Sequence, residues 1–244
     1  MKKQTLLTIM FFVSCAFTAF AQDDGEIINF NISAGYGSLT EKMASKYEFT
    51  SGEKRGETIN IGGELDYKTM SYSANLEFVI ESFGFLLEAS YTKGTYDKMN
   101  YYEDEAYFKF DPTLFKNVNI IQGAALFGYN IKIGKGRLSF PIYAGIGVSH
   151  YSGEPLYGNP IDFLYKVRVK YYLTNKIGVF AGVTGSYGYK DSFDCSQYEG
   201  PKFPNNQDFN PDVSFKRLFF EGGLTFQLGR LKERRFIFEP RGVY

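Results

Sequence analysis

From Arg137 to Ser152 the chain reads RLSFPIYAGIGVSHYS. Every second residue is apolar: Leu138, Phe140, Ile142, Ala144, Ile146 and Val148. Between them stand Ser139, Pro141, Tyr143, Gly145, Gly147 and Ser149, none of them charged. A period of two sustained this long is a β-strand with two unlike faces. A strand with one face in water normally carries Lys, Glu or Thr on that face. Here the second face is mostly glycine and serine, which suits the narrow inside of a small barrel. The apolar face is then left for lipid.

Seven further segments alternate in the same way: Ile27–Gly37, Tyr72–Glu81, Phe85–Tyr96, Asn117–Ile133, Ile161–Leu173, Ile177–Lys190 and Ser214–Leu228. The connections between them alternate in length. Ser38–Ser71, Asp97–Lys116, Gly153–Pro160 and Asp191–Val213 are long, whereas Ser82–Gly84, Gly134–Gly136 and Thr174–Lys176 are tight turns. A membrane barrel with a periplasmic N-terminus has short periplasmic turns and long extracellular loops in this order. A soluble barrel has no reason to sort its loops by end. Outward aromatics sort by depth as well. Phe85, Tyr129, Phe140, Tyr171 and Phe226 fall near the short turns, and Tyr36, Tyr72, Tyr91, Tyr165 and Tyr187 near the long loops, as two interfacial girdles require. The expected fold is all-β: a closed, antiparallel, up-and-down transmembrane β-barrel of eight strands. Thr58–Tyr67 also alternates and is expected to extend a hairpin above the membrane. Together with Tyr101–Phe110 it would instead give ten strands.

The first residues point to export. MKKQT precedes a short apolar run, Leu6–Phe20, and Ala19-Phe20-Ala21 forms a small-residue cleavage site before Gln22. The run falls short of the roughly 20 apolar residues of a membrane helix. Phe12-Val13-Ser14-Cys15 approaches a lipoprotein site, but cleavage after Ala21 fits better. The expected organisation is a signal peptide at 1–21, an outer-membrane barrel at 22–229 and a basic tail at 230–244. Only Cys195 survives such processing, so no intrachain disulfide forms. Lys plus Arg and Asp plus Glu both number 27, which removes the electrostatic case for nucleic acid.

The inward positions carry the informative charges. Glu77, Glu81, Glu88 and Glu221 face Lys132, Lys166, Arg168, Lys170 and Arg217. An eight-stranded barrel has little room inside beyond side chains, and charges there are costly unless paired. The expectation is a closed, charge-paired interior with a structural or surface-interaction role. The alternative is a narrow anion path along Lys166, Arg168 and Lys170. The loop acids Asp191, Asp194, Glu199, Asp208 and Asp212 lack the compact spacing of a calcium loop, so no metal or other cofactor is expected. The expected partners are outer-membrane lipid, lipopolysaccharide and the barrel-assembly machinery; no extracellular ligand is legible.

His150-Tyr151-Ser152 resembles the His-x-Ser pair of outer-membrane lipid A 3-O-deacylases, which work from the lipid side of an eight-stranded barrel. The resemblance implies a Ser152 nucleophile served by His150. That family continues with Asn where this chain has Gly153, and it places the pair nearer the C-terminus. The same-face neighbours Val148, Ile161 and Phe163 cannot orient an imidazole, Asp162 alternates inward, and Glu154 is a loop residue. The expectation is therefore a protein that is not an enzyme. More broadly, VRVKYYLTNKIGVFAGV (Val167–Val183) and FPIYAGIGVS (Phe140–Ser149) resemble the small porin-family β-barrel domains of Gram-negative outer membranes. That resemblance implies fold and location and leaves the biochemical role open.

Overall fold

The computed structural model describes residues 26–48, 55–80, 82–101, 117–133, 137–153, 157–190 and 212–230. The signal peptide with its alternative Cys15 site, Glu81, Cys195, most of the acidic loop and the tail after Arg230 lie outside the described residues.

Eight long strands form the molecule: β1 (Glu26–Glu48), β2 (Thr58–Ile80), β3 (Phe83–Tyr101), β4 (Asn117–Ile133), β5 (Leu138–Gly153), β6 (Ile161–Tyr172), β7 (Ile177–Lys190) and β8 (Asp212–Arg230). Each pairs antiparallel with its sequence neighbours, and β1 pairs with β8. The sheet therefore closes and has no edge across the membrane. A two-residue bridge, Tyr157–Gly158, pairs with the top of β5. The sheet closes with eight strands and not ten: Thr58–Tyr67 is the first half of β2, and of Tyr101–Phe110 only Tyr101, the end of β3, is among the described residues. The β1–β2 ladder runs unbroken from Glu26 opposite Ile80 to Glu48 opposite Thr58.

These strands differ in length for a physical reason. A membrane crossing takes about 9–11 residues, and β6 and β7 have 12 and 14. By contrast β1 and β2 have 23 residues each, while β3 and β8 have 19 each. The surplus rises above the membrane, and there the alternation inverts. Within the membrane zone apolar residues point out, among them Ile121, Phe127, Ile142, Ile146, Val167 and Phe220, all well exposed. Further along the same strands Leu39, Met43, Leu65, Val118, Ile120, Val213 and Phe215 point in and are buried. Strand parity does not change between the two zones; the surrounding solvent does. Where lipid surrounds the sheet the apolar side must face out; where water surrounds it the same side must face in.

The barrel thus stacks two sections, a lower one with a polar lumen and an apolar exterior, and an upper one built like a soluble β-barrel. The exposed apolar belt on a closed sheet makes this a transmembrane barrel of the outer-membrane kind. In the lower section the small inward residues have a specific use. Tyr143 lies fully buried across the lumen, and a Cβ at Gly84 or Gly128 would run into its ring.

Candidate functional site

The lumen of the lower section is the candidate site. Strand β6 places Lys166, Arg168 and Lys170 on consecutive inward positions, where all three are buried. Their partners come from the opposite wall. Lys170 Nζ meets the Glu77 carboxylate and donates to Asn31 Oδ1 at 3.1 Å. Glu77 also accepts from the Tyr143 hydroxyl at 2.7 Å and from Asn29 Nδ2 at 2.8 Å. One level higher, Lys166 Nζ lies 2.7 Å from Glu88 Oε2, and Arg168 Nε donates to Glu221 Oε1 at 2.7 Å. Cross-links of 3.7 Å join Lys166 to Glu221 and Arg168 to Glu88, so these four form one cluster. The Arg168 guanidinium also lies 4.7 Å above the Phe180 ring, a cation–π contact.

At the top of the lower section Arg217 Nη2 donates to Asp162 Oδ2 at 2.8 Å. The same carboxylate oxygen accepts from Gln122 Nε2 at 2.6 Å and from the Ser149 hydroxyl. Asp162 alternates inward, yet only the structure makes it the partner of Arg217. With it included, the buried acids Glu77, Glu88, Asp162 and Glu221 equal in number the buried bases Lys166, Arg168, Lys170 and Arg217 among the described residues of the lower section. Lys132 keeps the inward parity of β4 but stands exposed near the short-turn end, so it does not join the buried charges. Between the levels lies a small cavity lined by Ser33, Ser73, Ser90, Thr184 and the charged cluster. Most of its lining residues carry hydroxyls or charges, with Leu164 and Phe219 among them, and it is on the scale of individual waters rather than of a solute column.

Above Arg217 the lumen turns apolar. Leu39, Met43, Leu65, Tyr67, Val118, Ile120, Tyr151, Val213 and Phe215 form one buried cluster across it. Tyr151 packs on Phe215 with ring centroids 4.2 Å apart. Glu41 is buried at the same height. It sits outside the membrane zone, since its outward neighbours at that level are Lys42 and Glu64. Burial pushes its carboxyl up to about 8, against a partial opposing pull from the Tyr67 hydroxyl. Glu41 was hidden in a stretch that reads as a polar loop; the signal for it was Leu39, Glu41 and Met43 alternating with Ser38, Thr40 and Lys42.

His150 and Ser152 lie on the outer face, at the level of the upper tyrosines. His150 Nδ1 is 2.8 Å from Asn159 Oδ1. An orienting partner therefore does exist, contrary to the reading of the neighbours above, because Asn159 comes from the turn before β6, where alternation gives no guidance. The Ser152 hydroxyl reaches the Asn119 carbonyl, at 3.5 Å. Among the described residues no group of three His, Cys, Asp or Glu is placed to hold a metal ion.

Comparison with solved structures finds barrels at low similarity. Neisserial surface protein A shares 12% identity over 84% of this chain and 99% of its own, with a TM-score of 0.41. The outer membrane protease OmpT from Escherichia coli shares 10% over 82% and 96%, at 0.37. The attachment invasion locus protein Ail of Yersinia pestis shares 13% over 84% and 100%, at 0.32. Similarity at this level says nothing of what the present chain does. No curated protein matches. A family model described as a domain of unknown function, DUF2715, matches residues 28–229, from near the start of β1 to near the end of β8. The chain belongs to that family, DUF2715.

Proposed function

We propose that this outer-membrane barrel is closed, and that it serves as a structural or surface-interaction element rather than as a channel or an enzyme. The observation that carries this reading is the filled lumen. Four buried bases meet four buried acids in the membrane section, and an apolar cluster fills the section above. An ion moving along this axis has to break paired charges in one half and shed its water in the other. Both steps are costly in a low-dielectric interior. The narrow anion path has less support, because each cation of the Lys166–Lys170 ladder already has a carboxylate within 2.7 Å. The deacylase reading gains an imidazole partner in Asn159, but the Ser152 hydroxyl is turned to the Asn119 carbonyl. Cleavage after Ala21, assembly by the barrel-assembly machinery and display of the long β1–β2 hairpin to the exterior belong to the same proposal.

Planar-bilayer recording tests it. Purified protein is expected to give no steady conductance. Stable openings whose anion preference disappears in Arg168→Ala would replace this reading with the pore.

A further inference from the structure

The outer surface holds a polar cluster that the closed lumen does not use. On the outward face, Lys93 of β3 stands opposite Asn119 of β4, and Asn119 stands opposite Ser152 of β5. The next outward row toward the membrane centre is Tyr91, Ile121 and His150. From Ile121 downward the surface is apolar, with Ile121 60%, Val148 58% and Ile146 65% exposed. Two residues along a strand span roughly 7 Å. A lipid whose chains lie on Ile121, Val148 and Ile146 thus brings its headgroup level with Lys93, Asn119 and Ser152.

Two features separate this cluster from an ordinary polar rim. The first is charge. On β1–β3 three other outward lysines are neutralised: Lys42 by Glu64, Lys68 by Asp97 at 2.7 Å, and Lys98 by Asp66 at 3.6 Å. Lys93 has no ion pair among the described residues. The second is hydrogen bonding. The Tyr91 hydroxyl donates to Asn119 Oδ1 at 2.8 Å, which fixes the carboxamide and leaves its two amide hydrogens without an acceptor among the described residues. Among the described residues Ser152 Oγ makes only a long bond, and His150, held by Asn159, walls the lower side. A cation with no ion pair among the described residues, beside a fixed amide and a hydroxyl, is what a phosphate group asks for, since it is anionic and accepts several hydrogen bonds at once.

We propose that Lys93, Asn119 and Ser152 bind the phosphate headgroup of an outer-leaflet lipid whose chains lie on Ile121, Val148 and Ile146. This rests on the transmembrane reading of the barrel, and the test keeps the two apart. The full chain is inserted into phosphatidylcholine nanodiscs containing a minor fraction of phosphatidylglycerol, and the lipids retained by the folded protein are counted by native mass spectrometry. Wild type is expected to enrich phosphatidylglycerol. Lys93→Ala and Asn119→Ala should each lower that enrichment about tenfold, the size of one charge-assisted hydrogen bond. Lys68→Ala, which removes a lysine already paired, should leave it unchanged. Folding of each variant is read separately from its heat-modifiable migration on a gel. Equal enrichment in folded Lys93→Ala or no preference over phosphatidylcholine in wild type would overturn the site, and displacement of the lipid by inorganic phosphate alone would overturn the lipid as its occupant. A chain that never enters the nanodisc would instead sink the transmembrane reading.

Discussion

Replacing Lys170 by methionine is the most direct probe of the filled lumen. Lys170 and Glu77 are both fully buried, so loss of the ammonium leaves a carboxylate that water cannot reach. Tyr143 at 2.7 Å and Asn29 at 2.8 Å still donate to it, which softens the loss without supplying a charge. Breaking a buried pair from one side costs about 3–5 kcal/mol. The two remaining hydrogen bonds place Lys170→Met at the lower end, about 3 kcal/mol. Glu77→Gln keeps the shape and the Tyr143 contact, but strands the Lys170 ammonium beside Arg168, so a loss of about 2–3 kcal/mol is expected. The double variant buries no charge at this level, and it should be more stable than the sum of the two losses by about 2–3 kcal/mol, within the range of coupled neighbours. The chain has no tryptophan. The folded fraction is therefore best read from gel mobility after urea equilibration in lipid vesicles. Strict additivity of the two losses would show that the two charges do not meet inside a dry lumen, and the closed-barrel reasoning would fail with it.

Ile142→Arg, on the lipid face near mid-strand, should cost about 2–4 kcal/mol in the same urea assay, while Ser38→Arg, just above the belt, should cost under about 1 kcal/mol. Equal costs would mean that the apolar belt does not lie in lipid. Glu41→Gln tests the upper plug through pH. The folded carboxyl titrates at about 8 against 4.5 for the ordinary group, so the folded state holds the extra proton between those values. Wild-type stability should fall as pH rises from 4.5 to 8, by at most about 1.4 kcal/mol per unit, and level off above 8. In Glu41→Gln that slope should vanish, and a slope unchanged by the substitution would show that Glu41 is not buried in the plug.

The sequence by itself determined which way the side chains face, because a strand has period two and nothing else needs to be known to apply it. Lys166, Arg168 and Lys170 fall on one parity with Ile161, Phe163, Tyr165 and Val167 on the other, and the alternation of long and short connections made the object a membrane barrel. The tertiary structure alone decided who meets whom. Glu77 and Lys170 are 93 residues apart, and Arg217 and Asp162 are 55 apart. Their meeting depends on the register of every intervening strand and on the closure of β1 against β8. Pattern carries no register between strands that are not joined by a tight turn, which is also why Asn159 went unseen beside His150. The structure also decided where the lipid ends. Leu39, Glu41 and Met43 share the inward parity of Asn29, Asn31 and Ser33, but alternation looks the same whichever face is apolar. Only the height of each residue along the closed barrel tells whether water or hydrocarbon stands outside it, and that height sets which face must be buried.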